Sequence, residues 1–460
     1  MQDDSPMLKR LTRFISKPAR SAAPSKPPEP VKLPRSAHPV SRSEIPHGAL
    51  SVLKRLHDKG FEAYLVGGCI RDRMLGKNPK DFDVATNATP EEVDQLFRNA
   101  RIIGRRFRIV HVRFGRDIIE VTTFRGQAET PDSPHHQQSA DGMLIRDNVW
   151  GSIEDDALRR DFTINALYYS AQDLCVYDFT GGLKDLKKRQ LRLIGDPAER
   201  YREDPVRMLR ALRFAAKLDF TIEKKTAKAI HTQASTLSQV APARLFDEVL
   251  KLFLGGAALK TFCLIRDYGL FTSLFPATQE ALEQNPEALA LLEQAMINTD
   301  RRIQENRPVT PAFLYAVLLW PAVNRLYQQL IAEGVPPIPA LQQAATSQLH
   351  RQVQRIAIPK RFSLPMREIW EFQLKLPRRH GQRAWDLVQH PRFRAAYDFL
   401  LLREDAGEPT EGLAAWWTSF QEADENQQQL MVQQLKAPPR KKTKPRRRRG
   451  RKPRAESGNE

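Results

Sequence analysis

The chain has 460 residues, room for about three domains at roughly 150 residues each. It carries 73 Lys and Arg against 54 Asp and Glu, a net charge of +19, with 41% hydrophobic residues. That composition suits a chain with a real core and excludes a fully disordered polypeptide. A membrane protein is excluded too, because the longest near-apolar run, FLYAVLLWPAV (313–323), is too short to cross a bilayer and reads as a buried helix.

Cys69, Cys175 and Cys263 are too few and too far apart for a disulfide framework or a CxxC zinc site. Together with an N-terminus that lacks an apolar signal core, this makes the cytoplasm the expected location. The charge is concentrated at the two ends. Residues 436–460 hold twelve Lys or Arg and two Glu, and residues 1–46 hold nine basic and four acidic groups. Both ends are proline-rich and poor in large apolar residues, so both are expected to be disordered.

In chain order, ALSVLKRLHDKG (49–60) predicts an amphipathic helix closed by Gly60. FEAYLV (61–66) predicts a strand broken at Gly67-Gly68, and CIRDRMLG (69–76) a helix. DFDVA (81–85) is a second strand, followed by a helix over 89–100 with Thr89 as N-cap and Pro90 at its first position. FRIVHVRF (107–114) and DIIEVTTF (117–124) form a hairpin. A polar loop follows at 126–141, then a helix around 155–170, a strand at LCVYDF (174–179) and a glycine turn at Thr180-Gly181-Gly182. From Asp204 to about 435 the pattern is almost entirely helical. The expected architecture is an α/β head with a small mixed sheet at 47–180, a helical neck at 181–255, a helical body at 256–435 and a basic tail at 436–460.

No phosphate loop, GxGxxG or HExxH is present. Instead the head holds a Gly-Gly turn followed by two carboxylates two residues apart. On a strand, Asp81 and Asp83 would share a face. Paired carboxylates repel unless a cation lies between them, which suits Mg²⁺, an ion that keeps positions for water and substrate phosphates. Glu120, on the second arm of the hairpin, is a third candidate ligand. Gly67 and Gly68 can present backbone to phosphate oxygens, and Arg71 adds a guanidinium. Further on, Asp161 and Asn165 are four apart on the expected helix, beside Arg160, and Asp161 reads alternatively as a helix cap. Asp204 reads as the cap of a helix starting at Pro205, with Glu203, Arg207 and Arg210 in one stripe. An acid held against a guanidinium makes a rigid template for the edge of a base. The other reading is a surface ion-pair stripe.

LVGGCIRD (65–72) and KDFDVATNATPEEV (80–93) resemble the class II nucleotidyltransferases of the bacterial poly(A) polymerase and tRNA CCA-adding group. The resemblance continues through EVTTFR (120–125), RRDFTINAL (159–167), DFTGGLKDL (178–186), RYREDPVRMLRALRFAAKL (200–218) and ARLFDEVLKL (243–252). It implies a nucleotidyltransferase fold and a two-metal transfer in which an RNA 3′-hydroxyl attacks the α-phosphate of ATP. Asp81, Asp83 and Glu120 would hold Mg²⁺, with Asp161 essential to activity. Gly67, Gly68, Arg71, Arg160 and Asn165 would bind the triphosphate and ribose. Glu203, Asp204, Arg207 and Arg210 would choose the base.

Within the group, three features favour template-independent addition of AMP to RNA 3′ ends, a modification that promotes RNA turnover in bacteria. GMLIRDNVWGSIEDDALRRDFT (142–163) resembles the poly(A) branch, as do IAIPKR (356–361) and HPRFRAAYDFLLLR (390–403) in the body. The basic tail suits sequence-tolerant RNA binding. CCA addition to tRNA is the alternative. A non-catalytic RNA-binding protein on the same scaffold is a third reading, although it would predict the loss of a carboxylate that is still present.

Overall fold

Strands of three to seven residues cannot hold a hydrophobic face alone, and the first half of the chain gathers eight of them into one mixed sheet. The computed structural model describes residues 29–104, 107–126, 136–138 and 143–435. The strands are β1 (Val31–Leu33), β2 (Ala63–Val66), β3 (Asp83–Thr86), β4 (Ala100–Ile103), β5 (Ile109–Phe114) and β6 (Asp117–Thr123). Two more, β7 (His136–Gln138) and β8 (Leu144–Asp147), pair only with each other, and β9 (Leu167–Tyr169) and β10 (Val176–Asp178) complete the sheet. Its order is β1-β10-β9-β2-β3-β6-β5-β4, antiparallel throughout except between β3 and β6.

The helices of this half are α1 (His47–Asp58), α2 (Gly68–Met74), α3 (Pro90–Leu96), α4 (Ile153–Arg159), α5 (Gly182–Lys187), α6 (Pro197–Glu203), α7 (Val206–Leu218) and α8 (Lys224–Gln233). In α1 the buried side chains are Ala49, Val52, Leu53 and Leu56, the spacing of one helical face. Thr89 caps α3 in a reciprocal capping box with Glu92, with Pro90 at the first position as expected. Val66, Ala85, Phe124, Ile153, Ala157 and Tyr168 form a core that ties β2, β3 and β9 to α4.

Four expectations need correction. Residues 29–46, read as disordered, are ordered in part by the sheet: β1 pairs with β10, Val31 opposite Asp178, because an open edge offers unpaired backbone groups to a short extended segment. The helix expected around 155–170 ends at Arg159, and a tight turn at Thr163–Asn165 then leads into β9. The helical periodicity there is real only for its first half. Strand β3 starts at Asp83, so Asp81 lies outside it, exposed, with the buried Phe82 between them. Finally, Glu203 and Arg207 sit on different helices, with Pro205 at the cap of α7 rather than inside it.

The chain divides into two units after Gln239. The first includes α6 to α8, so the boundary expected at 180/181 falls inside a unit. The second is helical, from Pro242–Phe253 to Glu425–Gln433. The apolar run 313–323 lies in its 22-residue helix Pro311–Ala332, where Leu314 to Val323 are buried. Among the described residues no helix is long and apolar enough to cross a membrane. Residues 1–28, most of the 126–141 loop and the 436–460 tail lie outside the described residues.

Candidate active site

The register of the sheet brings the carboxylates to the glycine turn. Val66 lies opposite Asp83 in the β2–β3 pair, so the chain enters Gly67 next to the first residue of β3. Val84 lies opposite Val121 in the parallel β3–β6 pair, which places Glu120 beside Asp83 on the neighbouring strand. Burial, then the charges of Glu120 and Asp81, push the Asp83 carboxyl up to about 6, with Arg160 working the other way. Glu120 also meets His111 of β5, with Nε2 3.2 Å from its Oε1. The donor set is hard oxygen, crowded and under-compensated. That is the chemistry a divalent cation relieves. Among the described residues no three His, Cys, Asp or Glu side chains are placed to hold an ion by themselves.

Gly67 has φ +80, a conformation that a side chain would strain, and a Cβ there would stand 3.7 Å from the Arg160 guanidinium. Its N–H donates to the Leu167 carbonyl at 3.3 Å. Its part is therefore the turn and the open approach rather than a free donor. Arg160 lies against Asp156, Nη2 to Oδ2 2.9 Å, and its Nε donates to the Tyr168 hydroxyl at 2.9 Å. Burial works against its charge, but Asp156 and Tyr168 outweigh that and hold it protonated.

Asp161 and Asn165 meet although no helix carries them. Asn165 Nδ2 donates to Asp161 Oδ1 at 3.1 Å, and Asn165 Oδ1 accepts from Arg71 Nη1 at 2.6 Å. Arg71 is also bound to Asp72 at 2.7 Å, and Asp161 accepts from Arg210 of α7 at 2.6 Å. Burial acts to raise the Asp161 carboxyl, yet Arg210, Asn165 and the Phe162 N–H hold it below the usual carboxylate range. The turn that carries Asn165 is braced from below. The Asp178 carboxylate accepts the N–H groups of Thr180, Gly181, Gly182 and Leu183, and Thr163 Oγ1 donates to Asp185 at 2.8 Å. Gly182 is pressed against the Thr163 carbonyl, where a Cβ would clash. Gly182 thus serves close packing, while Gly181, with φ +83 and open space around it, serves the turn itself.

The expected stripe splits into two clusters. Glu203 is shared between Arg200, at 2.6 Å, and Arg207, at 2.8 Å, while Arg210 turns to Asp161. Asp204, buried, accepts the Val206 N–H at 3.3 Å, as a residue before a helix does. Arg200 donates to the carbonyls of Arg159 and Arg160 at 2.7 and 2.8 Å, locking α6 onto the end of α4. Burial, with Arg207 alongside, pulls its guanidinium down to about 10.

Sequence reasoning missed Arg200, Asp156, Tyr168 and Phe214. Phe214 has the plainest signal, one helical turn after Arg210. Its ring lies under three guanidiniums, with the carbons of Arg71, Arg210 and Arg213 at 5.1, 5.4 and 4.9 Å from its centroid. Phe214→Leu keeps the bulk and removes the ring quadrupole. It is expected to raise KM for the nucleotide about tenfold, with kcat little changed and Phe214→Tyr near wild type. Steady-state kinetics at varied nucleotide concentration checks it.

Three family models match in chain order: the poly A polymerase head domain over residues 63–192, the probable RNA- and SrmB-binding site of polymerase A over 219–282, and the polymerase A arginine-rich C-terminus over 333–453. Poly(A) polymerase I of Salmonella typhi is 48% identical over 426 residues, covering 90% of this chain and 92% of that protein. The chain belongs to the poly(A) polymerase I family. By contrast, the CC-adding tRNA nucleotidyltransferase of Halalkalibacterium halodurans is 41% identical over 222 residues, 48% of this chain and 52% of its own. Among solved structures, the Bacillus stearothermophilus CCA-adding enzyme in complex with CTP superposes with a TM-score of 0.54 at 24% identity. It covers 85% of this chain and 88% of that one, and shows the fold alone. The first of these relatives matches about half of the chain and the second shares its fold, so what sets the present chain apart lies in the length of its likeness to the poly(A) polymerases.

Proposed function

We propose that the protein adds AMP from ATP to RNA 3′ ends without a template, in the cytoplasm. One observation carries this reading: the full-length likeness to poly(A) polymerase I comes with an intact carboxylate site at Asp83, beside Glu120. Nucleotidyltransferases of this kind work with divalent metal, and the hard, crowded oxygens at Asp81, Asp83 and Glu120 fit Mg²⁺. When bound, such ions would activate the attacking hydroxyl and neutralise the leaving pyrophosphate. An ion such as Mg²⁺ keeps coordination positions for triphosphate oxygens and water.

The remaining residues position the reactants. Gly67 and Gly68 open the approach beside Arg160, and Arg71 and Arg160 are the cations nearest the turn for the triphosphate. Asp161 and Asn165 present hydrogen-bonding groups suited to a ribose. Asp204 and Arg207, braced by Glu203, are suited to the edge of the base, while Arg210 acts through Asp161. Most of these groups are already held in place by neighbours, so catalysis rests on positioning and charge neutralisation. The helical segments from 181 onward and the basic tail supply the RNA grip.

The test is product length on a generic single-stranded RNA supplied with each nucleotide separately. Long ladders with ATP alone support the proposal. Activity confined to tRNA that lacks its 3′ end, with CTP needed before ATP, would overturn it in favour of CCA addition. Deleting 436–460, with its twelve basic residues, is expected to weaken RNA binding and flatten its salt dependence while single-nucleotide addition persists. Binding titrations at several salt concentrations check this.

A further inference from the structure

Four cations on or beside the last helices of the second unit are matched by acids. Lys375 pairs with Glu371, Arg392 with Glu368, Arg394 with Asp398 and Arg403 with Glu408, at 2.7 to 3.5 Å. The turn between helices Lys360–Lys375 and Arg383–Gln389 is different. LPRRHGQRAW (376–385) has no Asp or Glu and carries Arg378, Arg379, His380 and Arg383. Among the described residues, no carboxylate lies within ion-pair distance of any of these four.

The turn is nevertheless held firmly. Trp417, fully buried, donates its Nε1–H to the Leu376 carbonyl at 3.2 Å, which ties the start of the turn to the core around Phe393, Ala414 and Phe420. Trp416 stacks on Phe420 with centroids 4.9 Å apart, and the Arg379 guanidinium lies 4.7 Å over the Trp416 ring. The buried Nε of Arg379 makes no hydrogen bond. Burial draws the Arg379 guanidinium below its ordinary value with no anion to offset it. An arginine stacked on an aromatic ring keeps the outer N–H groups of its fork for a ligand. Arg378 and Arg383 stand exposed on either side.

We propose that this turn is a second anchoring site for RNA, in which Arg378, Arg379 and Arg383 neutralise successive phosphates of the strand being extended. This rests on the polyadenylation reading given above. The site lies outside residues 219–282, which match the RNA-binding model, and within residues 333–453, which match the arginine-rich C-terminus, upstream of the basic tail. With Phe420 stacked on the Trp416 indole and Arg379 over it, the platform holds a guanidinium instead of a base, so the contacts fall on the backbone. Backbone contacts read no sequence, as a polymerase acting on unrelated 3′ ends requires.

The test compares full-length wild type with Arg378→Gln/Arg379→Gln/Arg383→Gln, following binding of a labelled single-stranded RNA of about 20 nucleotides between about 50 and 200 mM salt. Each lost phosphate contact should flatten the log–log salt slope by about 0.7, so the triple variant is expected to lose about 2. Arg378→Gln/Arg383→Gln leaves the Arg379–Trp416 stack untouched and should lose about 1.4. AMP incorporation into a saturating trinucleotide primer should be unchanged in both. Unaltered slopes in both variants, with wild type still extending the primer, would overturn the anchoring site alone. Failure of wild type to add AMP to any RNA would overturn the reading beneath it.

Discussion

Asp83→Ala is expected to lower AMP incorporation by at least about 1000-fold, because an ion held by its carboxylate would supply several kcal/mol of charge stabilisation in the transition state. The fold should survive, since Asp83 is the first residue of β3 and no partner strand depends on its side chain. Full activity in this variant would show that the metal sits elsewhere.

A second measurement needs no turnover. With the metal chelated, the folded protein keeps the Asp83 proton up to about 6, while an unfolded carboxylate releases it near its ordinary value. Between those values the folded state binds more protons, so stability falls as pH rises through that window and stays low above it. Asp83→Asn removes this dependence. At pH 7 without metal the variant is expected to be the more stable protein, by an amount on the order of 2–3 kcal/mol. Adding Mg²⁺ should stabilise wild type and leave the variant nearly unmoved. Denaturant titrations at pH 5 and 7, with and without metal, read all of this. Equal stabilisation of both by Mg²⁺ would remove Asp83 from the metal site.

Asp161→Asn is the other large effect. The carboxylate holds Arg210 at 2.6 Å and accepts from Asn165, which in turn fixes Arg71. Removing its charge leaves Arg71, Arg210 and Arg213 crowded over Phe214 with one anion fewer. Breaking a buried pair costs about 3–5 kcal/mol. Arg210 keeps 33% of its side-chain surface in water, so about 2–3 kcal/mol is the expected loss. Activity should fall about 100-fold, mostly through KM for ATP, because Arg71, proposed to hold the triphosphate, loses its brace. A double-mutant cycle with Arg210→Met separates this pair from the rest, and a coupling energy near zero would mean that the two residues act independently.

How far the sequence reached can be judged at particular residues. The mixed α/β head, the Thr89 cap and the hairpin at 109–123 were all legible, because apolar alternation and cap chemistry are local signals. The carboxylates were legible as types and spacing. Their partner relations were not. Asp83 meets Glu120 only because β3 and β6 pair in parallel, and no local pattern states which strands become neighbours. Asp161 and Asn165 were grouped for the wrong reason: a helix was expected, and a turn brings them together.

Arg210 marks the boundary most clearly. Its spacing from Glu203 and Arg207 suggested one stripe, but the chain breaks at Asp204-Pro205 and redirects it to Asp161, 49 residues away. By itself the sequence determined the kinds of chemistry available: carboxylates, guanidiniums, a basic tail, and strands and helices of given period. Only the tertiary structure decided which acid meets which base, since register, turn geometry and the burial and charged partners that together shift Asp83 up and Asp161 down arise from contacts between distant segments.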